Sequence, residues 1–320
     1  MPKKFSLNSE SEFTFPSQIQ WKLGQNLKIL ELKHINIKTL EVKRLMYILK
    51  NLNQSEIKHV IEFNLYEFFR SMVHSDLKDN LYEETKEFTR FSTGISFFFF
   101  NGVIDNHVSL ENAIKRIKEN ITFFEKRQVP FLWVLGPSST PKNMEELLIK
   151  NGFIIEKLQG MAYNLKILNT DREILNKVEI IKVESRDNLK VWNDIFLTGF
   201  EFPKEVPSDF FFEAFSFILL NDNASASVFL AYYDGKPIAS SLVLYKAGVA
   251  GIHMVTTLEE ARGKGTGTAI TLATLSEAKK LGYETAILHS TEMGLNMYKQ
   301  MGFKEYCTIE LFKWQPGSKD

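Results

Sequence analysis

The sequence predicts an α/β fold in which one structural unit occurs twice. Apolar strand-like runs alternate with amphipathic helical segments along most of the chain. The order strand, loop, short helix, Gly-Phe and strand occurs around Gly152-Phe153 and again around Gly302-Phe303, where LLIKNGF aligns with MYKQMGF. At 320 residues the chain is long enough for two domains of ordinary size. We interpret this pattern as an internal duplication; the alternative is two unrelated helices that both end at Gly-Phe.

The first half contains helical and strand-like segments in turn. Part of residues 21–52 is predicted to be helical, and apolar residues at spacings of three and four predict a longer helix over 55–74. Another helix is predicted over 109–126, with Ser109 as N-cap. Its apolar face carries Ile114, Ile117, Ile121 and Phe124. The run Phe97–Phe100 predicts a buried strand that meets a turn at Asn101-Gly102.

The second half follows a polar joint at 166–178. A strand begins with EIIKVES, a helix is predicted over 186–200, and a second helix opens at Ser208-Asp209. The segment SVFLAYYDGKPIASSLVLY then predicts a hairpin whose turn is Asp234-Gly235.

A glycine-rich turn lies between a strand and a helix at Arg262-Gly263-Lys264-Gly265-Thr266-Gly267. Glycines leave backbone N–H groups uncovered, and the helix start adds unpaired donors and the positive end of its dipole. Such a turn can hold a pyrophosphate. Its spacing fits neither a P-loop nor the dinucleotide fingerprint. The alternative is a strand-to-helix turn without a ligand.

These residues resemble the acetyl-CoA motif of the GNAT acetyltransferase superfamily, Arg/Gln-x-x-Gly-x-Gly/Ala, with Arg262, Gly265 and Gly267 at the defining positions. Tyr298, four residues before Gly302-Phe303, matches a tyrosine of that family. The resemblance implies two GNAT-like domains in tandem, each a mixed, mainly antiparallel sheet flanked by helices. Their expected bounds are 1–170 and 175–320.

More narrowly, the chain resembles bacterial two-part acetyltransferases that carry Trp-x-x-Gly-Pro-Ser-Ser in the first half, here Trp133 to Ser139. The first copy has Leu148 in the place of Tyr298, and its turn GVIDNHVSLENA lacks the run of glycines. A leucine cannot donate a proton, so we expect this copy to be degenerate and non-catalytic. In the second copy, Thr291 stands where many family members have an asparagine that contacts the CoA arm.

The resemblance implies an acetyl-CoA-dependent N-acetyltransferase that acts on a primary amine by direct attack, with Tyr298 protonating the departing thiolate. Backbone groups near Val255 and Thr257 would pair with the pantetheine arm, and N–H groups of 263–268 would hold the pyrophosphate. Arg262 would add loop geometry and positive potential, whereas Lys264 is as easily a solvated side chain as a phosphate ligand. The expected cofactor-binding residues are Val255, Thr257, Arg262, Gly263, Lys264, Gly265, Thr266, Gly267, Thr268 and Ser290.

The general base and the acceptor stay open at this point. Candidate bases are His253 and Glu292, and a water relay without a dedicated base is a third possibility; His289 and Ser290 either line the cleft or end the strand. The acceptor would be set by residues 200–212 and by whatever the first domain contributes. Four phenylalanines there indicate an apolar wall or ordinary core packing: Phe202, Phe210, Phe211 and Phe212. Two other hypotheses are an acyl-CoA-binding module without turnover and a nucleotide-binding protein of another fold.

Composition limits the partners. Lys and Arg total 39, as do Asp and Glu, so no broad attraction to nucleic acid or an anionic membrane is expected. The single cysteine, Cys307, excludes an intrachain disulfide and suits a reducing compartment, so we expect a cytoplasmic protein. We find neither a signal-peptide pattern nor an 18-residue apolar run, and the scattered histidines lack metal-ligand spacing. Acetyl-CoA and an amine are thus the expected partners, with no metal.

Overall fold

The structure is a computed structural model that describes residues 48–73, 80–169, 178–204, 206, 208–209, 212–213, 216 and 225–317. These residues lie within one compact unit, Arg44–Asp320. Most of the range 21–52, part of which is predicted to be helical, lies outside the described residues, and its described part, 48–52, is not helical. Most of the helix predicted after Ser208 and most of the joint at 166–178 also lie outside them. The expected domain bounds, 1–170 and 175–320, stay a prediction.

Helices and strands alternate as the sequence predicts. Within the described residues the α-helices are α1 (Gln54–Val73), α2 (Ala113–Arg127), α3 (Met144–Lys150), α4 (Arg186–Gly199), α5 (Thr266–Lys280) and α6 (Glu292–Met301). The strands of the first half are β1 (Leu81–Glu84), β2 (Thr89–Ser92), β3 (Asn101–Ile104), β4 (Phe131–Leu135) and β5 (Ile154–Asn164). Those of the second half are β6 (Val178–Lys182), β7 (Ala226–Tyr233), β8 (Lys236–Lys246), β9 (Val249–Thr257), β10 (Thr285–Ser290) and β11 (Lys304–Trp314).

The described strands form one eleven-stranded sheet in the order β1-β2-β3-β4-β11-β5-β10-β9-β8-β7-β6. Each half begins with an antiparallel meander that leads to a parallel pair, β3 with β4 and β9 with β10. Parallel neighbours need a crossover connection, and α2 and α5 supply it in the two halves. The repeated order supports the duplication that the sequence predicts.

The last strand of each half crosses to the other half. β5 ends the first half and pairs antiparallel with β10, whereas β11 ends the second half and pairs antiparallel with β4. β5 and β11 also pair with each other over most of their length. The strands at the centre of the sheet are therefore hydrogen-bonded between the two halves, and neither half has a free strand edge at the junction.

Helices cover both faces of the sheet. Successive residues of β8 alternate between two hydrophobic clusters: Leu242 packs in the cluster that contains α1 and α4, and Val243 packs in the cluster that contains α5 and α6. Strand β4 shows the same alternation, with Val134 towards α1 and Trp133 towards α2 and α3. Because side chains alternate with a period of two, α1 and α4 lie on one face and the other four helices lie on the opposite face.

Two local predictions are confirmed. The helix predicted over 55–74 is α1, and its apolar residues Val60, Ile61, Leu65 and Phe68 are buried. The hairpin of β7 and β8 turns at Asp234-Gly235, where both residues have positive φ, 48° and 74°. Such angles suit a tight two-residue turn.

The turn predicted at Asn101-Gly102 is wrong, because these residues open β3 and Phe98–Phe100 form a 3₁₀ turn instead. The side chain of Asn101 is fully buried and donates to the carbonyls of Ile95 and Pro130. These bonds anchor the asparagine inside the protein.

The start predicted for the second helix is also wrong. α2 begins at Ala113, after a turn in which the Asn112 N–H donates to the Ser109 carbonyl, so Ser109 is not its N-cap. The predicted apolar face is buried or partly buried except in the first turn. Ile117 and Phe124 are buried, but Ile114 is 50% exposed.

Candidate active site

The strands β9 and β10 stop pairing part-way along their length. Their parallel register runs from Ala250 opposite Ala286 to Ile252 opposite Leu288. β9 then continues to Thr257 while paired only with β8. Backbone groups on one edge of β9 are therefore left without a strand partner, and an extended ligand could add to them as a strand does.

A β-bulge lies directly beyond the last pair. Leu242 faces His253 and Ser240 faces Thr256, so β9 has one more residue than β8 in this interval. Met254, within the bulge, has φ 52° and its carbonyl accepts a hydrogen bond from the Ser240 hydroxyl, at 3.2 Å. Because a bulge bends its strand, it explains why β9 parts from β10 here. Val255 and Thr257 lie in the segment that has parted, and both are partly exposed.

The glycine-rich turn joins the open end of β9 to α5. Gly263 and Gly265 have φ 73° and 78°, values that favour glycine, and Gly265 is the N-cap of α5 without a side-chain cap. The first N–H groups of the helix therefore have no intrahelical partner. Residues 262–265 are exposed, Gly267 and Thr268 are partly exposed, and Thr266 is buried. This geometry fits an anionic group held by main-chain donors at a helix start.

The two cations of the turn are tied to backbone carbonyls. Arg262 donates from Nε to the carbonyl of Thr257, at 3.1 Å, and so fixes the turn to the end of β9. Lys264 donates from Nζ to the carbonyl of Glu260, at 2.7 Å. A Cβ at Gly267 would lie 3.1 Å from the Met297 sulfur, so glycine allows α6 to pack closely on the first turn of α5.

Tyr298 and Ser290 lie together on the α5 and α6 side of the sheet. A Cβ at Gly294 would lie 3.0 Å from the Tyr298 ring and 3.2 Å from the Ser290 hydroxyl, so both side chains approach this glycine. The Tyr298 side chain is buried, and burial raises the pKa of its phenol, an effect that a hydrogen bond with Thr271 opposes. The phenol is therefore a protonated group directed to α5. Thr291, at the position where many family members have an asparagine, is exposed.

Two histidines lie on the opposite face, where β9 and β10 part. His253 follows Ile252 and His289 follows Leu288, and their rings stack with centroids 5.9 Å apart. α1 covers both: Phe68 stacks on His253 with centroids 4.5 Å apart, and the Ile61 carbonyl lies 2.9 Å from His289 Nε2.

The sequence did not predict that α1 contacts this site. Asn64 accepts from His253 Nε2, at 2.8 Å, although 189 residues separate the two. Gly251 allows this approach, because a Cβ there would lie 1.8 Å from Asn64 Oδ1. The signal in the sequence was a lone asparagine among the apolar residues of α1. By contrast, the other candidate base, Glu292, is exposed in the first turn of α6.

The expected acceptor wall is only partly described. Phe202 packs against Phe97 of the first half, with centroids 4.9 Å apart, and Phe212 is buried beneath the Arg186 guanidinium. Phe200, at the end of α4, is 47% exposed. Phe210 and Phe211 lie outside the described residues.

The described part of the chain contains no group of three or more His, Cys, Asp or Glu side chains suited to a metal ion. A search of the same residues finds no helix long and apolar enough to cross a bilayer.

A family comparison decides the identity of the second half. The model of the acetyltransferase (GNAT) family matches residues 189–303, a stretch that runs from α4 through the open strand pair and the glycine-rich turn to Phe303. Residues 189–303 form a GNAT domain. The predicted resemblance to the GNAT superfamily is thereby confirmed for this stretch.

Solved structures extend the likeness across both halves. A GCN5-related N-acetyltransferase from Kribbella flavida is 16% identical, with TM-score 0.60, and the match covers 79% of this chain and 95% of that one. A GCN5-related N-acetyltransferase from Sphaerobacter thermophilus is 13% identical, with TM-score 0.56 and coverage of 84% and 96%. A tandem GNAT protein from the clavulanic acid biosynthesis pathway is 10% identical, with TM-score 0.54 and coverage of 83% and 96%. At such identities the likeness is one of fold, and it confirms an α/β fold with two GNAT-like halves. No curated protein matches the sequence.

Proposed function

We propose that the chain is an acetyl-CoA-dependent N-acetyltransferase that moves an acetyl group to a primary amine by direct attack. The observation that carries the proposal is the parting of β9 and β10 within the GNAT domain. The open edge of β9 leads to the glycine-rich start of α5, and Ser290, two residues beyond the last pair of β10, lies beside the same glycine, Gly294, as the buried phenol of Tyr298. The substrate pair would be acetyl-CoA and an amine of a small molecule or a protein, and the single thiol suits the reducing cytoplasm.

Different residues along the cleft would bind different parts of acetyl-CoA. Main-chain N–H groups of 263–268 would bind the pyrophosphate, with Arg262 holding the turn against β9. Backbone groups of Val255 and Thr257 would pair with the pantetheine arm along the open edge, near Ser290. This placement brings the thioester towards the point where the strands part, so that positioning supplies much of the rate.

Tyr298 would donate the proton that the departing thiolate needs. Its neutral phenol is a proton donor at neutral pH, and burial raises its pKa further above the ordinary value. We therefore expect no decrease in the turnover rate from deprotonation of Tyr298 below about pH 10.

The alternative is a catalytically silent module that binds acyl-CoA for sensing or assembly. The hydrogen bond between Tyr298 and Thr271 favours this alternative, because it holds the phenol against α5. A thermal-shift assay with acetyl-CoA, CoA and ATP, followed by thiol release across a panel of amines, separates the two. Stabilisation by acetyl-CoA without thiol release on any amine would favour the silent module, and stabilisation by ATP alone would contradict both.

The variant Tyr298→Phe tests the acid role. We expect kcat to fall by about 100-fold or more while the Kd for CoA stays unchanged, since only the hydroxyl is removed. Tyr245→Phe is the matched control: this tyrosine is also buried, its pKa is also raised by burial, and it bonds to the Ser227 hydroxyl. Turnover of Tyr298→Phe at the level of Tyr245→Phe would remove the acid role.

A further inference from the structure

The two histidines at the parting of β9 and β10 have fixed tautomers. Burial lowers the pKa of His289 to about 4, so its ring is neutral near pH 7 and carries one N–H. Nε2 lies 2.9 Å from the Ile61 carbonyl, which can only accept, so the hydrogen is on Nε2. Nδ1 therefore has a free lone pair.

This nitrogen has no hydrogen-bond partner among the described residues, although the atom is buried. A buried acceptor without a donor costs free energy that a substrate N–H could recover. The neighbouring His253 also donates from Nε2, to Asn64, and its ring stacks on Phe68 and on His289. The orientation of Asn64 is fixed in turn, because its Nδ2 donates to the carbonyl of Lys246, at 2.9 Å.

We propose that Nδ1 of His289 accepts the proton of the attacking amine. The inference rests on the proposed function and assigns the general base of that reaction. The register of the two strands supports this assignment. His289 is the first residue of β10 beyond the last pair with β9, and it therefore lies where the unpaired edge of β9 begins. Tyr298 lies on the opposite face, so the proton acceptor and the proton donor would act from the two sides of the sheet.

The step balances as follows. The amine nitrogen forms a bond to the thioester carbon, and the carbonyl π electrons move to oxygen. The N–H bond then breaks and its proton passes to Nδ1, which leaves imidazolium. Collapse of the adduct restores the carbonyl and breaks the C–S bond, and the thiolate takes the phenol proton of Tyr298. Imidazolium and phenolate return to neutral by proton exchange with water, so the products are the amide and CoA.

The environment of His289 suits a transient charge. Burial makes a lasting imidazolium unfavourable, whereas negative charge on the adduct oxygen and the departing sulfur stabilises it during the step. The ring therefore starts neutral and releases its proton once the products leave.

His289→Gln is the direct test. The glutamine amide can still donate to the Ile61 carbonyl but cannot take up a proton. We expect kcat/KM for an amine that the wild type acetylates to fall by about 100-fold, with the KM for acetyl-CoA unchanged. His253→Gln, which keeps a donor for Asn64, tests the other candidate base: we expect a smaller loss than in His289→Gln, and an equal or larger loss would overturn the assignment. Loss of less than about threefold in His289→Gln would overturn the assignment.

A measurement on the unaltered protein keeps the test valid if the variant fails to fold. With ¹⁵N-labelled histidine, we expect NMR to show His289 as the Nε2–H tautomer with a bare Nδ1. Addition of CoA together with an acetylated amine substrate should shift that Nδ1 as it accepts a hydrogen bond, and CoA alone should not. A protonated Nδ1, or no shift in the ternary complex, would contradict the inference. Absence of thiol release by the wild type would instead contradict the proposed function itself.

Discussion

In the second half, β9 and β10 stop pairing after Ile252 and Leu288, whereas in the first half the segments that follow β3 and β4 remain bonded to each other. The Thr140 N–H donates to the Asn106 carbonyl, and the Asn106 amide donates to the Thr140 carbonyl. The Trp133 indole donates to Asn106 Oδ1, at 3.2 Å. The groups that could receive a pantetheine arm in one half are thus occupied in the other.

Helix α1 adds a second difference between the halves. Its Glu62 carboxylate accepts from the backbone N–H and the hydroxyl of Ser138, and from Tyr66, so it fills the space beside Gly136. Burial raises the pKa of Glu62, which these hydrogen bonds oppose. On the second half α1 instead contributes Asn64 and the Ile61 carbonyl to the histidine pair. Among the described residues, the second half also has one strand more than the first, six against five. At the corresponding sites the halves thus differ in the residues after two strands and in the side chains that α1 presents to each.

The largest effect should come from opening the first half with Asn106→Ala. This change leaves the Trp133 indole N–H and the Thr140 carbonyl without the partners that Asn106 supplies. We expect the free energy of unfolding in urea to fall by about 2–3 kcal/mol. The Kd for acetyl-CoA should stay unchanged by calorimetry, with one site per chain. A second binding site in the variant would show that these bonds alone prevent the first half from binding acetyl-CoA.

A matched pair of glycines tests whether the loop of the second half binds the diphosphate. Gly152 and Gly263 have φ 84° and 73°, and a Cβ would meet nothing within 4 Å at either position. Alanine should therefore cost about 1–2 kcal/mol of stability at both, because both conformations are left-handed. Only Gly263→Ala should weaken acetyl-CoA binding, by about tenfold, since only that turn would lose its main-chain geometry around the anion. Equal Kd values for the two variants would remove the glycine-rich turn from the binding site.

The smallest effect concerns the polar pair that stands in the first half where the second has glycines. The hydrogen bond from His107 Nε2 to Asp105, at 3.1 Å, raises the pKa of His107. Burial raises the pKa of Asp105, but the hydrogen bond from His107 and the charge of Arg70 outweigh it and the pKa is lowered.

The sign of the pH dependence follows from the raised pKa. The pair stabilises the folded state fully below the unfolded pKa of His107, about 6.5, and loses this contribution as pH rises through the folded value. We expect His107→Gln to be less stable than the wild type near pH 6, by under about 1 kcal/mol because the imidazole is 45% exposed to screening solvent, and similar to it near pH 9. Thermal unfolding at the two pH values checks this, and a larger difference at pH 9 would contradict it.

The sequence predicted the second half better than the first because its signals are local. Asp234-Gly235 forms the predicted turn since its flanking strands simply pair with each other. Asn101-Gly102 has a similar composition but enters a strand, where the asparagine bonds to Ser92, nine residues before it, and to Pro130, 29 residues after it. The identity of the two residues alone does not indicate which other residues will bond to them.

The candidate site shows the same limit. The glycine-rich turn and Tyr298 were found from spacing within about 40 residues of chain. The tautomer of His289 depends on Ile61, 228 residues away, and could be found only once α1 was placed on the sheet. The crossing of β5 and β11 could not be predicted from the sequence either. Two similar strands in two similar halves could each pair within their own half or with the other half.

That crossing makes the second half structurally dependent on the first. A chain shortened to the second half would keep the glycine-rich turn, Tyr298 and His289, yet β10 would lose the neighbour that β5 provides. Even if the first half performs no chemistry of its own, as its sequence predicts, its removal would take a central strand from the sheet of the second half.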